Sequence, residues 1–162
     1  MSVRQTELLR IRKQNVPVDL ALPGAPPRPV EIFLAEHQAH EFRRQHVLDL
    51  LEQGPPFLPA RDFATGVWEV LHKDALLWIR VALGPQGETL EAGDELFDVE
   101  KRVRVEVSGG EPLEGDLLYS APEQAARVVD YLNQDGRYFR LWEGDRLYLV
   151  NKAFVLRVIE LS

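Results

Sequence analysis

The sequence predicts an α+β protein of two tandem small modules, each a strongly bent, barrel-like sheet with the order β-β-α-β-β-β. Three observations predict it. Apolar residues alternate at period two in short runs bounded by Gly, Pro, Asn and Asp turns, as half-buried antiparallel strands require. A helical stretch interrupts each set of strands. The order of elements in residues 16–82 then returns in 102–162, the signature of an internal repeat. Val16, Val18 and Leu20 correspond to Val103, Val105 and Val107. Val47-Leu48-Asp49-Leu50-Leu51 matches Val128-Val129-Asp130-Tyr131-Leu132, and Phe57-Leu58 matches Tyr138-Phe139. Val70-Leu71-His72-Lys73 matches Leu149-Val150-Asn151-Lys152, with Leu76-Leu77 and Ile79 against Val155-Leu156 and Val158. The offset falls from 87 (103 − 16) to 81 (138 − 57) to 79 (152 − 73), which places the extra length of the first copy in loops.

The second copy is the clearer one. Arg102 to Val107 alternates, Ser108-Gly109-Gly110-Glu111 forms a turn tolerant of positive φ, and Leu113 to Tyr119 returns as the second strand of a hairpin. Ser120-Ala-Pro-Glu123 has the form of a capping box. Ala125, Val128, Val129 and Leu132 then lie on one face of a helix that ends near Asp135-Gly136. Tyr138 to Trp142, Arg146 to Val150 and Phe154 to Leu161 are rich in β-branched and aromatic residues and are parted by turns at Glu143-Gly144-Asp145 and Asn151-Lys152. The first copy repeats this plan, with Pro23 to Pro29 as a longer turn and Glu41 to Gln53 as the helix. Residues 1–15 form a basic arm and 83–101 a linker. Below about 70 residues a core is marginal, so the two copies are expected to pack on each other or on another subunit.

The 162 residues contain no cysteine, which removes disulfides, thiolate metal sites and thiol nucleophiles together. No apolar run resembles a signal or membrane segment, so a cytoplasmic location is expected. Residues 1–82 carry ten basic and ten acidic side chains, whereas 83–162 carry nine and sixteen, giving the net charge of -7. Glu88, Glu91, Asp94, Glu95, Asp98 and Glu100 fall in one segment that contains no base, an acidic connector able to guide a basic partner.

The second copy also resembles the Sm-like fold. The resemblance rests on Val103-Arg-Val-Glu-Val-Ser-Gly-Gly-Glu-Pro-Leu-Glu-Gly115 and on Leu147-Tyr-Leu-Val-Asn-Lys-Ala-Phe-Val-Leu-Arg-Val-Ile159. His72-Lys73-Asp74-Ala75 is similar to the Tyr-Lys-His-Ala turn of the RNA chaperones in that superfamily. The resemblance implies a small bent barrel that assembles into rings. The predicted helix between the second and third strands departs from it, as do His72 and Asp74 in the turn. Leu113-Glu-Gly115, Arg127 to Asn133 and Leu149 to Lys152 also resemble a family of functionally uncharacterised bacterial proteins, which implies no activity.

Catalytic chemistry finds few footholds. Ser2, Ser108, Ser120 and Ser162 sit at termini, a turn and a predicted cap, outside any Gly-x-Ser-x-Gly elbow, and neither a Walker loop nor a dinucleotide fingerprint is present. His37 and His40, with Glu36, Glu41 and His46 nearby, offer the one nitrogen and oxygen cluster suited to a metal, without the His-Glu-x-x-His order of a metalloprotease. The expectation is therefore a non-catalytic bacterial assembly or regulatory adaptor, needing no cofactor and working through a protein partner or self-association. Trp142 and Tyr148 would be its contact aromatics, and Glu91, Glu95 and Asp98 its charge guides. The alternative is a single-stranded RNA binder in which His72, Lys73, Asn151 and Lys152, set in matching turns, reach phosphates and bases. A sequence pI near 5.1 weighs against a polyanion. A histidine-dependent metalloenzyme is the third reading.

Overall fold

The computed structural model describes residues 13–35, 46–82, 97–122 and 126–161. Ten strands run through them: β1 (Lys13–Ala21), β2 (Arg28–Ala35), β3 (Phe57–Asp62), β4 (Trp68–His72), β5 (Trp78–Ala82), β6 (Val99–Val107), β7 (Leu113–Tyr119), β8 (Tyr138–Glu143), β9 (Arg146–Asn151) and β10 (Val155–Glu160). Two helices, α1 (Val47–Glu52) and α2 (Val128–Leu132), and two 3-10 turns, Lys73–Ala75 and Lys152–Phe154, complete the described elements. All strands join one antiparallel sheet in the order β10-β6-β7-β8-β9-β5-β1-β2-β3-β4.

The α+β, two-module expectation is thereby overturned: the protein is an all-β, ten-stranded sheet. The expected helices, Glu41 to Gln53 and Ala125 to Asp135, are represented by six and five residues, and the rest of the first lies largely outside the described residues. At 3.6 residues per turn each described helix has fewer than two turns, too little to form a layer of its own. The modules fail as units because their strands share cores. Leu147 and Leu149 of β9 join a core with Leu20, Ile32, Leu58 and Ile79, while Tyr148 and Val150 join a second core with Val103, Val105, Leu117 and Leu141. Strands β5 and β9 thus bury both faces, as the near-continuous apolar run Leu147-Tyr-Leu-Val150 requires. Strand β6 begins at Val99, inside the segment expected as a linker.

Within the sheet, each half follows the same order: β5-β1-β2-β3-β4 and β10-β6-β7-β8-β9. Gly24 and Gly109 mark the centres of the two leading hairpins, both at positive φ, and the Gly24 amide donates to the Gly109 carbonyl at 2.8 Å. They lie 85 residues apart (109 − 24), so the register aligns Leu20 with Val105 rather than with Val107. Because the shift is two residues, every side chain keeps its face. The joints β2–β3 and β7–β8 are both narrow, pairing Val30–Asp62 and Glu31–Arg61 in one half and Asp116–Trp142 in the other. At the second joint Gly115 is required by space: a Cβ there would stand 2.6 Å from the Trp142 carbonyl oxygen.

Candidate interaction surface

The matching turns that follow β4 and β9 are structural anchors. Lys73 is 1% exposed, and its ammonium donates to the Gln53 carbonyl oxygen at 2.8 Å, closing the end of α1. Lys152 does the same for Gln134 beyond α2, also at 2.8 Å. Burial holds both amines below their ordinary range, with a further push on Lys73 from the Arg137 guanidinium. Asn151 is buried and donates to the carbonyl oxygens of Leu76 (2.8 Å) and Asp74 (3.1 Å), tying β9 to the entry of β5. The His72 ring accepts the Asp74 amide through Nδ1 at 3.1 Å. Of the four residues expected on an RNA-facing rim, three therefore spend side-chain donors on backbone carbonyls.

The β5–β9 seam is reinforced on both sides. Arg80 bonds the Asp19 carboxylate at 2.7 and 3.1 Å and donates to the Tyr148 hydroxyl at 3.1 Å. Hydrogen bonding to Asp19 and Tyr148 raises its pKa, although burial opposes them. Arg137 reaches Asp74 at 2.5 Å and the Leu51 carbonyl at 2.8 Å, while the Glu52 carboxylate accepts the amides of Arg137 (2.9 Å) and Tyr138 (2.7 Å). Tyr138 donates its hydroxyl to the Lys73 carbonyl, and burial pushes its phenol well above the usual range.

The two expected contact aromatics lie inward of the surface. Tyr148 is buried with its ring 5.0 Å from Trp78, and Trp142 is half-buried with Phe97 at 6.5 Å. Among the described residues the Trp142 indole nitrogen has no partner. Asp98 is exposed and accepts the Ala121 amide at 3.2 Å, whereas Glu91, Glu95, His37 and His40 fall outside the described residues. Among the described residues no three His, Asp or Glu side chains gather as metal ligands, and no helix is long and apolar enough to cross a membrane. A groove beside α2 is lined by Tyr119, Tyr131, Tyr138, Phe139, Arg140 and Lys152, but the Tyr119 and Tyr138 hydroxyls are engaged with the carbonyls of Ala126 and Lys73.

Among the described residues, most of the exposed large apolar side chains lie on the β3–β4 hairpin, which ends the sheet. Phe57, Phe63, Val67, Trp68 (61%) and Val70 (70%) are open to solvent. Trp68 stacks on Phe33 at 5.2 Å, and Phe57 meets the His72 ring edge-on at 4.8 Å. Beneath them Arg28 bridges Asp62 and Glu69; its hydrogen bond to Glu69 chiefly raises the guanidinium pKa, against the pull of burial. The Asp62 carboxyl is held low, first by the Thr65 amide and further by Arg28. The sequence carries a signal for this outer face. The alternation in Trp68-Glu-Val-Leu-His72 was the available signal, because only Leu71 of that strand is buried.

Backbone polarity completes this edge. Lys73 donates to the Pro56 carbonyl and Asp62 to the Val67 carbonyl, so at period two the amides and carbonyls of Trp68, Val70 and His72 point away from β3. At the other end of the sheet Leu161 donates to the Arg102 carbonyl. Arg157 and Ile159 therefore face β6, and Val158 and Glu160 turn their backbone outward beside the exposed Leu156. Among the described residues β4 and β10 each have one paired neighbour. Compared with models of protein families, with curated proteins and with solved structures, the chain matches none.

Proposed function

We propose that the protein is a non-catalytic assembly or adaptor module that binds another polypeptide along the β4 edge. The carrying observation is the coincidence, on one terminal strand, of outward backbone groups with an exposed apolar strip of Trp68, Val70 and their neighbour Phe57. Open edges are normally blunted by charge, proline or short length because they pair with other chains. Here aromatic and aliphatic side chains flank the edge, as a strand-addition site needs for both affinity and selectivity.

The acidic segment containing Glu91, Glu95 and Asp98 favours a partner with a basic surface and speeds its approach. The protein-contact reading ranks above RNA binding because the Lys73 and Lys152 ammonium groups already serve backbone carbonyls, and because the net charge is -7.

The test compares the wild-type chain with Val70→Lys and Trp68→Ala as affinity baits. A partner retained by the wild type and lost with both variants supports the reading; equal capture by all three overturns it. Charge reversal at Glu91, Glu95 and Asp98 is expected to slow association and flatten its salt dependence. Elution from size exclusion with a nucleic-acid absorbance ratio at moderate salt would overturn the preference for protein over RNA.

A further inference from the structure

We propose that the partner of the β4 edge is a second copy of this chain, which docks its β10 antiparallel to β4 and joins the molecules head to tail. The inference rests on the edge-binding reading above and names the occupant of that edge. It starts from a seam the molecule already contains. Strand β5 pairs with β9, with Ile79 opposite Leu149 and the Asn151 amide donating to the Leu77 carbonyl at 2.9 Å.

Each partner in that seam has a positional counterpart at a free edge. His72 and Asn151 both cap a 3-10 turn with a side-chain acceptor, which equates β4 with β9 at an offset of 79 (151 − 72). Val158 pairs with Val105 as Ile79 pairs with Leu20, which equates β10 with β5 at the same offset (158 − 79). Carrying the seam's register across gives Val70 opposite Val158, His72 opposite Leu156 and Trp68 opposite Glu160.

Trp68, Val70 and His72 of β4 and Val158 and Glu160 of β10 turn their backbone away from their own sheet neighbours, as Ile79 and Leu149 turn toward each other within the seam, and Leu156 lies where the β10 register shifts between Val155 and Arg157. Burial has the same logic. Ile79 and Leu149 are fully buried and Leu77 is 1% exposed, whereas their aliphatic counterparts are less covered: Val158 is half-buried against the second core, and Val70 and Leu156 are exposed, Leu156 at 69%. The polar clamp also has its counterpart. Asn151 accepts an amide through Oδ1 and donates through Nδ2; His72 accepts through Nδ1, leaving the Nε2–H of the neutral ring to donate to carbonyls at Ala153 or Val155 of the next copy. Glu160 opposite Trp68 departs from the aliphatic Val81–Leu147 pair, and a carboxylate there discourages indiscriminate strand pairing. Unlike surfaces meet, so the contact is heterologous and propagates into a ring or a filament according to its rotation.

The chain has no cysteine, which allows a clean test. In this register Val67 faces Leu161 of the next copy, and both are exposed. Chains carrying Val67→Cys and Leu161→Cys are mixed and oxidised, with Val129→Cys as an off-register control. The expected result is a disulfide-linked dimer from the mixture alone. The wild type should have a multiple of the single-chain mass by light scattering, and Val70→Lys should return it to one chain with an unchanged far-ultraviolet spectrum. A single-chain wild type without cross-linking, or Val67→Cys chains that link to themselves, overturns the proposal. If the wild type is single-chain yet Val70→Lys still abolishes capture of another protein, only this inference fails. If neither mass nor capture responds to the edge, the adaptor reading fails with it.

Discussion

Gly115 illustrates how one missing atom decides a strand joint. The β7–β8 contact is narrow, and the Trp142 carbonyl oxygen occupies the space a Cβ would need. Gly115→Ala is expected to cost about 1–3 kcal/mol through overpacking, read as a lower urea midpoint with an unchanged slope. Tyr138 carries a second residue-scale prediction. Its hydroxyl bond to the Lys73 carbonyl is worth about 1 kcal/mol, so Tyr138→Phe is expected to be less stable at neutral pH by about that amount. Burial raises the folded phenol above its ordinary value of 10.0. The stability it supplies is complete below that value and is lost as pH rises beyond it, because the unfolded chain ionises first. The deficit of Tyr138→Phe should therefore shrink above about pH 10, which denaturation series at pH 8 and 11 would show. Lys73, held low by burial, contributes the opposite slope in both proteins and leaves the difference to Tyr138.

Among the elements, the short helices are brackets between distant strands. Helix α1 ends in Glu52, whose carboxylate holds the first two amides at the start of β8, and the Leu51 carbonyl receives Arg137. Glu52→Ala should lower stability by about 2 kcal/mol, since two amides lose a charged acceptor. Hydrogen exchange at Arg137 and Tyr138 should accelerate more than exchange in β6. The helices were legible as apolar repeats at 47–51 and 128–132. Their bracket role was not, because Glu52 and Arg137 are 85 residues apart and nothing local links them. The β4 and β9 turns show the same limit: Lys73 and Lys152 were read as matching residues, but solvated lysines and buried anchors have the same local sequence pattern.

For the molecule as a whole, the shared strands β5 and β9 predict cooperativity. Leu149 is fully buried at their seam, and Leu149→Ala is expected to cost about 2–5 kcal/mol. Calorimetry should show one transition moving down as a unit, and separation into two would contradict the shared-core account. A chain ending at residue 82 should fail to fold alone, because Ile79 and Val81 would lose Leu147 and Leu149; dispersed amide resonances from that fragment would refute this.

The sequence by itself determined the strands, their turns, the alternation that assigns inner and outer faces, and the similar order of elements in its two halves. These are local properties, set by side-chain period and turn chemistry over a few residues. Tertiary structure alone decided that the strands form one all-β sheet, that β5 and β9 bury both faces, and that Trp68 and Val70 stay exposed while Leu147 and Leu149 do not. The physical reason is that alternation specifies a face but not a neighbour. Similar strands become a buried seam or an open edge according to what the rest of the chain lays beside them.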